Sequence, residues 1–445
     1  MSDSNNVKEI ITDGIPSREL DYRPFFSIVI PCYNSRKTLG QLLASIEAQN
    51  MNDDIEVILA DDHSTESYQD IVDPFRERLC IKQVQTDYNF APGNTRERGV
   101  QYATGEWIAF ADHDDLYIID TLPQIKDIIQ ESGEKYYVIS NFLEVEPNTK
   151  QVIRQHIGTR NWNHAKFYNL DNFWKAYDIH FKKDLLTHED IYISSCVNCA
   201  CNKYNTQPLM INMFTYIWNA RPTSVSRADY QGRNFLEIYF RDYIASTGDL
   251  YLERWKRGGI TEDYAVQSAV NIILFCYFYT QGFKFQKPND WLKINDYHAR
   301  DFVMKCIDTF GVDKFNTQTI IDYCSPNQAE FYRGVRETAY IGSGGFIEDM
   351  DFRRWLNYMQ DEANFPDLED YELHKNDVRK TTMSQEMCKV GLTDIETLKK
   401  ERGEKEAMEL FDKVVSGQTE YSSDIEKEKS KVAIEDVDNA AKPMT

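Results

Sequence analysis

Three carboxylates stand close together in the segment Asp112-His113-Asp114-Asp115. They directly follow Glu106–Ala111, an apolar run typical of a buried strand. Carboxylates crowded at one strand end repel each other, and a divalent cation removes the repulsion because hard oxygen ligands suit Mg²⁺ and Mn²⁺. Such an ion is commonly shared with substrate phosphates. The alternative, for this segment taken alone, is a solvated acidic turn.

The acidic segment lies in a region where strands and helices alternate. The predicted strands are Phe26–Pro31, Ile55–Ala60, Ile81–Gln85, Glu106–Ala111 and Tyr136–Phe142. Strands that are apolar throughout and alternate with helices predict an α/β fold with a parallel sheet covered on both faces. Ligands of such sheets bind beyond the carboxyl ends of the strands. Two of these ends carry carboxylate clusters, at Asp61-Asp62 and at Asp112.

Four sequence motifs follow one another in residues 26–115. They are Ile-Val-Ile-Pro-Cys-Tyr-Asn (28–34), Leu-Ala-Asp-Asp-His-Ser (59–64), Asn-Phe-Ala-Pro-Gly with Thr-Arg-Glu-Arg-Gly (89–99) and Ala-Thr-Gly-Glu-Trp-Ile-Ala-Phe-Ala-Asp (103–112). In order and spacing the set resembles the family-2 glycosyltransferases with the GT-A fold, and the match extends more loosely to about residue 227. His63 replaces the family's usual glycine, while Thr95 and Glu97 replace the alanine and asparagine beside Arg96.

The resemblance implies a Rossmann-like α/β fold, with a mostly parallel sheet flanked by helices, that binds a nucleotide-sugar donor. By this resemblance Tyr33 packs on the nucleotide base with Pro31 beside it, and Asp62 accepts a hydrogen bond from the base that favours uracil. Arg96 braces this carboxylate region, and Asp112 lies near the ribose. Asp114 is the implied metal ligand, with Asp115 as its partner. The expected cofactor is Mn²⁺ or Mg²⁺, which bridges the pyrophosphate and stabilises the departing nucleoside diphosphate.

A second acidic pair, Glu189-Asp190, matches the place of the family's catalytic base. An inverting transfer needs a base opposite the leaving group, to take the proton of the acceptor hydroxyl. The resemblance implies that Asp190 is this base and that Glu189 orients it or the acceptor. The alternative is an ordinary helix N-terminus, with Thr187 or His188 as the cap and both acids in the first turn.

Arg221 lies in residues 216–224, Tyr-Ile-Trp-Asn-Ala-Arg-Pro-Thr-Ser, which resemble the segment that closes the family's catalytic domain. A guanidinium suits paired phosphate oxygens, so contact with the pyrophosphate is one interpretation. A structural ion pair is the equal alternative. His180 and His188 are candidates to complete a metal shell, but packing or exposure is the commoner state for either.

The chain divides into four predicted parts. They are an N-terminal extension (1–22), a catalytic domain (23–232, with donor half 23–150 and acceptor half 151–232), a mainly helical domain (233–370) and a charged, partly disordered tail (371–445) with one amphipathic helix near Ile395–Val415. The first residues hold no apolar signal segment, and the longest apolar stretch is too short to span a membrane. We therefore expect a cytoplasmic protein with reduced thiols, in which Cys196, Cys199 and Cys201 are buried on a helix.

Charge limits the classes of partner. The 445 residues carry a formal net charge of −22, which disfavours general binding to nucleic acids or anionic membranes. Residues 151–235, which coincide with the acceptor half, are mildly basic and indicate an acidic or phosphate-bearing acceptor. The candidate acceptors are a glycan or its lipid-linked precursor, a protein side chain and, least favoured, a hydroxylated base in modified DNA. The helical domain is either an acceptor platform or a homo-oligomer interface.

The leading hypothesis is therefore an inverting transfer of sugar from a UDP-sugar to an acceptor hydroxyl. The first alternative is a nucleotidyltransferase on a similar sheet, but the segment Ile28–Thr38 lacks the glycine-rich, basic loop expected there. The second alternative is a catalytically degenerate scaffold that binds nucleotide or glycan. Retention of the acids at 62, 112, 114 and 190 disfavours the scaffold.

Overall fold

A computed structural model describes residues 14–86, 92–182, 185, 187–221, 240–286, 294–315 and 349–375. The chain separates into two compact units, Met1–Leu368 and Glu369–Thr445. The fold and the candidate site lie in the first unit. The predicted tail helix near Ile395–Val415 and the predicted boundary at 232 lie outside the described residues.

A nine-stranded sheet forms the centre of the first unit within the described residues. The strands are β1 Phe26–Cys32, β2 Ile55–Asp61, β3 Cys80–Gln85, β4 Trp107–Phe110, β5 Leu116–Tyr117, β6 Tyr137–Val145, β7 Val152–His156, β8 Lys166–Asn169 and β9 Leu209–Asn219. Their order across the sheet is β3-β2-β1-β4-β8-β6-β9-β5, and β7 pairs with β6.

Helices cover the sheet and continue after it. Near the sheet they are α1 Leu39–Glu47, α2 Gln69–Val72, α3 Pro92–Val100, α4 Thr121–Ser132 and α5 Glu189–Tyr204; later helices span Leu250–Lys256, Glu262–Gln286, Ile294–Phe310, Asp349–Gln360 and Leu368–His374. Among the described helices, none combines the length and apolar character needed to cross a bilayer.

The two faces of the sheet belong to two separate cores. Ile28 and Ile30 of β1 pack in one core with Leu39 and Leu42 of α1. The intervening Val29 packs in the other core, which contains Ile193, Cys196, Val197 and Ala200 of α5. Successive residues of a strand point to opposite faces, so an apolar run is buried on both sides. The predicted sheet with both faces covered is thereby confirmed, and the predicted cysteines on α5 are buried and free.

The parallel part of the sheet brings the motif loops together. β1 pairs in parallel with β2 and with β4, in a register that sets Cys32 beside Asp61 and Val29 beside Phe110. The chain therefore leaves all three strands at the same edge. The Asp61-Asp62 pair and the Asp112 segment meet at this edge, as the sequence predicts.

The predicted α/β fold class is confirmed, but the sheet is mixed beyond β4. β8 pairs antiparallel with both β4 and β6, while β6 and β9 are parallel to each other. Sequence patterns did not indicate β8, because Lys166 and Asn169 interrupt its apolar character. Because β8 is antiparallel to β4, the end of the loop before it, residues 157–165, lies beside the acidic end of β4.

The first two later helices, Leu250–Lys256 and Glu262–Gln286, contribute to the same core as α5. Leu250, Tyr251 and Ala265 belong to this core. Tyr177 Oη donates a hydrogen bond of 2.9 Å to the carbonyl of Gly259, which ties the connection before α5 to the helical part. The division into catalytic and helical domains stays a prediction, and the first unit, Met1–Leu368, extends across the predicted boundary.

Candidate active site

The loops after β1 and β2 are joined by hydrogen bonds at the predicted base-binding end. Asn34, just after Tyr33, accepts from the backbone N–H of Thr65 at 2.9 Å. Asp62 donates its N–H to the carbonyl of Cys32 at 2.8 Å, and its Oδ1 accepts from Thr86 Oγ1 at 3.1 Å. The half-buried Pro31, near the end of β1, and Tyr33, just after the strand, therefore flank Cys32, whose carbonyl contacts the buried Asp62.

His63 has a positive φ of 59°. Glycine adopts this left-handed region without steric cost, whereas a residue with a Cβ is strained there. The glycine that the family usually has at this position is thus explained by the backbone. His63 keeps the loop conformation, so the departure from the motif leaves Asp62 in position.

Strand β9 holds the Asp112–Asp115 turn. Tyr216 Oη accepts from the N–H of Asp112 and donates to Asp115 Oδ2, both at 2.9 Å. The N–H of Asn219 donates to Asp115 Oδ1 at 2.8 Å, and its side-chain amide donates to the carbonyl of Asp114 at 2.7 Å. Two residues of one strand thus hold the backbone of the turn at Asp112 and Asp114 and fix the carboxylate of Asp115.

The carboxylates of this turn repel each other. Burial raises the pKa of Asp115 well above its usual value, and the charges of Asp112 and Asp114 raise it further. Burial and Asp112 also raise the pKa of Asp114. For Asp112 burial acts in the same direction, but the Arg96 guanidinium outweighs it and holds the pKa below its usual value. The turn therefore favours a bound cation.

A metal-type cluster lies at this turn. Within the described residues, one ligand atom each from Asp112, Asp115 and His164 lies within 4.8 Å of the others. Two carboxylates and an imidazole are a donor set that fits a divalent cation. Neither His180 nor His188 belongs to the cluster, since His180 Nδ1 lies 3.0 Å from the carbonyl of Asp178 and His188 Nδ1 lies 2.9 Å from Thr187 Oγ1.

Arg96 connects the two acidic parts of the site. It projects from α3, is 5% exposed, and binds Asp112 Oδ1 at 2.5 Å and Glu189 Oε1 at 3.0 Å through its two terminal nitrogens. A planar guanidinium with a fork of donors is suited to such a double contact. Asp112 of the acidic turn and Glu189 of the predicted base pair are therefore joined through one side chain.

The approach of α3 to α5 requires a glycine at residue 93. A Cβ added at Gly93 would lie 3.0 Å from Glu189 Cβ. This is tighter than an ordinary van der Waals contact, so the absence of a side chain lets the backbone of α3 come close to the base pair. The glycine of the third motif thereby positions Glu189 against Arg96.

Asp190 is the second residue of α5 and is half-buried. Burial raises its pKa to about 7, with a further contribution from the charge of Glu189. Its Oδ1 accepts from the N–H of Ile191 at 2.7 Å. His188 occupies the N-cap position with φ 61°, and its side chain makes no capping hydrogen bond. Asp190 thus satisfies one N–H of the first turn that the His188 side chain leaves uncapped, as the alternative of a helix N-terminus also expects.

Two buried residues near Asp190 were missed by sequence reasoning. Lys166 is 1% exposed, and its Nζ donates to the carbonyl of Trp162; burial lowers its pKa to about 7, against the attraction of Asp190. Asp242, in the helical part, accepts from the N–H of Thr187 at 3.0 Å. Local sequence patterns do not indicate either residue as part of a site. Lys166 stands in a short strand, and Asp242 lies 55 positions from its partner Thr187.

Arg221 lies beside the acidic turn. Its Nε is 3.6 Å from Asp114 Oδ2, and both side chains are nearly three tenths exposed. The distance exceeds that of a hydrogen bond, so the pair is a loose electrostatic contact. A guanidinium next to this acidic turn is available to phosphate oxygens as well as to Asp114.

Acidic loops at one edge of a mixed α/β sheet, joined through Arg96 to an acidic pair at a helix start, are typical of the GT-A class of glycosyltransferases. Residues 27–200 match the family model described as "Glycosyl transferase family 2". This segment is therefore a family-2 glycosyltransferase domain.

Named relatives and a solved structure agree with this assignment. The chain is 23% identical over 365 residues to the poly(ribitol-phosphate) beta-N-acetylglucosaminyltransferase TarS of Staphylococcus aureus, across 77% of this chain and 61% of the relative. It is 37% identical over 92 residues to the poly(ribitol-phosphate) beta-glucosyltransferase of Bacillus spizizenii, across 20% of this chain and 14% of the relative. The chain thus spans less than two thirds of these relatives. A crystal structure of S. aureus TarS 1-349 in complex with UDP-GlcNAc shares the fold, with a TM-score of 0.53 and 18% identity, over 82% of this chain and 92% of that chain.

Proposed function

We propose that this chain transfers a sugar from a UDP-sugar to an acceptor hydroxyl with inversion, in a reaction that depends on a divalent cation. The observation that carries the proposal is the double contact of Arg96 with Asp112 and Glu189. It couples the carboxylates suited to a metal and a diphosphate to the half-buried pair suited to proton abstraction. Both are needed in one cleft for a direct displacement.

The donor is a uridine nucleotide in this proposal. Tyr33 and Pro31 pack on the base, and Asp62 accepts a hydrogen bond from it. Arg221 contacts the pyrophosphate near Asp114. The solved relative that shares the fold was crystallised with UDP-GlcNAc, which supports a UDP-sugar without fixing the sugar of this chain.

Asp112, Asp114 and Asp115 hold the divalent cation, Mn²⁺ or Mg²⁺. When bound, the ion supplies Lewis-acid stabilisation of the diphosphate as it leaves. Arg96 balances the negative charge that remains around Asp112. Tyr216 keeps Asp115 in position, since it donates to the carboxylate from the opposite side of the turn.

Asp190 is the general base. Its pKa of about 7, raised by burial, suits proton transfer near neutral pH. Asp190 takes the proton of the acceptor hydroxyl while the hydroxyl oxygen bonds to the anomeric carbon. The bond from that carbon to the diphosphate oxygen breaks, and UDP leaves with the electron pair. Glu189 stays bound to Arg96 and orients the first turn of α5.

The acceptor is an anionic, phosphate-bearing chain in this proposal. Residues 151–235 carry an excess of basic side chains in an otherwise acidic protein. Two relatives are named for transfer onto poly(ribitol-phosphate), which supports an acceptor with repeating phosphates and free hydroxyls. Salt weakens such attraction by screening, so acceptor use is expected to fall as ionic strength rises.

The first experiment measures release of UDP from a panel of UDP-sugars, with Mn²⁺, Mg²⁺ or a chelator. We expect cation-dependent hydrolysis of at least one donor. Asp114→Ala is expected to abolish it. Asp120→Asn is the matched control, because Asp120 is exposed and lies outside the acidic turn. Failure of every donor, in hydrolysis and in transfer, would leave a nucleotide- or glycan-binding scaffold as the better account.

A further inference from the structure

His164 lies in the loop before β8 with a fixed ring. It is 6% exposed and stacks on Tyr216 at a centroid distance of 5.0 Å and an interplanar angle of 7°. The edge of Phe142 contacts it at 4.3 Å and 90°. Two aromatic rings at right angles to each other therefore hold the imidazole in one orientation.

A buried nitrogen of this ring has no hydrogen-bond partner in the described part of the chain. The atom is Nε2 of His164. Leaving a buried polar atom unpaired costs about 1–3 kcal/mol, and most such atoms are satisfied in folded proteins. The neighbouring carboxylates do not satisfy it, because Asp115 accepts from Tyr216 and Asn219 and Asp112 accepts from Arg96.

The spacing of the cluster fits an ion between the three side chains. Oxygen and nitrogen ligands that bind an ion at about 2.0–2.2 Å lie roughly 3–4.4 Å from one another. The ligand atoms of Asp112, Asp115 and His164 lie within 4.8 Å of one another. Small side-chain movements are enough to close this gap. Tyr216 supports both ligand types, since it stacks under His164 and binds Asp115.

We propose that His164 is the nitrogen ligand of the divalent cation, together with Asp112 and Asp115, and that it gives the site a preference for a transition ion such as Mn²⁺ over Mg²⁺. The inference rests on the proposed function and adds a ligand to its metal site. Imidazole is a good ligand for transition ions, whereas Mg²⁺ prefers oxygen ligands and retains water.

His156 provides a matched control. It is also 6% exposed and also lies 4.3 Å from the ring of Phe142, but its Nε2 bonds Glu144 at 3.0 Å and it is not part of the cluster. His164→Phe keeps a flat ring on Tyr216 and removes the ligand. His156→Phe makes the same change on the other side of Phe142.

Mn²⁺ binding is measured by the electron paramagnetic resonance signal of the free ion, and Mg²⁺ by calorimetry, both with UDP present. We expect His164→Phe to weaken Mn²⁺ binding about 10–100-fold and to change Mg²⁺ binding less than about threefold. His156→Phe should bind Mn²⁺ as the wild type does. Electron spin echo spectra of wild-type protein with Mn²⁺ should show nitrogen hyperfine coupling that changes with ¹⁵N-histidine labelling.

Wild-type Mn²⁺ affinity in a folded His164→Phe protein, with the nitrogen coupling retained, overturns the inference and leaves the proposed function intact. If wild type binds no Mn²⁺ with UDP, the metal dependence of the proposed function falls as well. Should His164→Phe fail to fold, the ¹⁵N-histidine spectrum of the wild type decides, because a Mn²⁺ site without histidine coupling refutes the assignment.

Discussion

Replacing Asp190 by asparagine should make the protein inactive and, above neutral pH, more stable. Asparagine has nearly the shape of aspartate, and its Oδ1 can still accept from the N–H of Ile191. It cannot take a proton from the acceptor. Loss of a general base typically lowers the rate by about 10²–10⁴-fold. UDP binding should be unchanged, since Asp190 does not contact the donor in the proposed mechanism.

The stability gain follows from the raised pKa of Asp190. Burial raises this pKa from 3.8 to about 7 in the folded chain. Between about pH 4 and pH 7 the folded chain therefore holds a proton that the unfolded chain has lost, so the free energy of unfolding of the wild type falls as the pH rises through this window. Three pKa units correspond to about 4 kcal/mol, an upper limit for the loss at pH 8. The asparagine of the variant cannot ionise and avoids this loss.

The assay is urea unfolding of both proteins at pH 4.5, 6 and 8, beside initial rates of transfer. The difference in unfolding free energy should be small at pH 4.5 and should grow to about 1–4 kcal/mol in favour of the variant at pH 8. The wild-type kcat/KM should rise with pH through about 7, as Asp190 loses its proton. A variant that is less stable at pH 8, or that retains transfer, would refute the assignment of the base.

Three further variants test the surroundings of the base. Arg96→Lys keeps the charge, but one ammonium cannot reproduce the fork of donors that binds two carboxylates. Urea unfolding should show that the free energy of unfolding falls by about 1.5–3 kcal/mol. A fall of less than about 0.5 kcal/mol would contradict the double contact of Arg96 with Asp112 and Glu189. Gly93→Ala sets a methyl group 3.0 Å from Glu189 Cβ, which displaces Glu189. The kcat should therefore fall about tenfold, while the KM for the donor stays unchanged. An unchanged kcat would show that Gly93 does not position Glu189. Asp242→Asn removes the charge that accepts a hydrogen bond from Thr187 at the start of α5. The rate of transfer should therefore fall about tenfold, while the affinity for UDP stays constant. A loss of UDP affinity would contradict a role limited to the start of α5.

The strands and motif loops of the donor half were predictable because each signal is local. β1 and β2 are continuous apolar runs, and in parallel register their ends must meet at one edge. The mixed part of the sheet was not predictable in the same way. β8 is four residues long and contains a lysine and an asparagine, and its position between β4 and β6 depends on pairing partners distant in the chain.

The candidate site also contains residues that the sequence indicates and residues that only distant contacts bring into place. Resemblance to a family pointed to Asp114 and Asp190, whose roles stay predictions, whereas the contact of Arg96 with Glu189 joins residues 93 positions apart. His164 stands in Asn-Trp-Asn-His-Ala-Lys without a metal-type spacing. Only the pairing of β8 beside β4 brings its ring to the acidic turn. Site residues that are brought together only by tertiary contacts cannot be identified from local sequence patterns.

The hydrogen bond between Thr187 and Asp242 has a consequence for protein engineering. Asp242 is 1% exposed and is also bound by Arg241 at 2.6 Å, so the residue that fixes the start of α5 comes from beyond the matched family segment. A chimera that joins residues 1–232 of this chain to the helices of a relative would need a compatible acid at this position. Exchange of acceptor preference between relatives is therefore expected to require exchange of both segments together, because the junction crosses a buried polar contact.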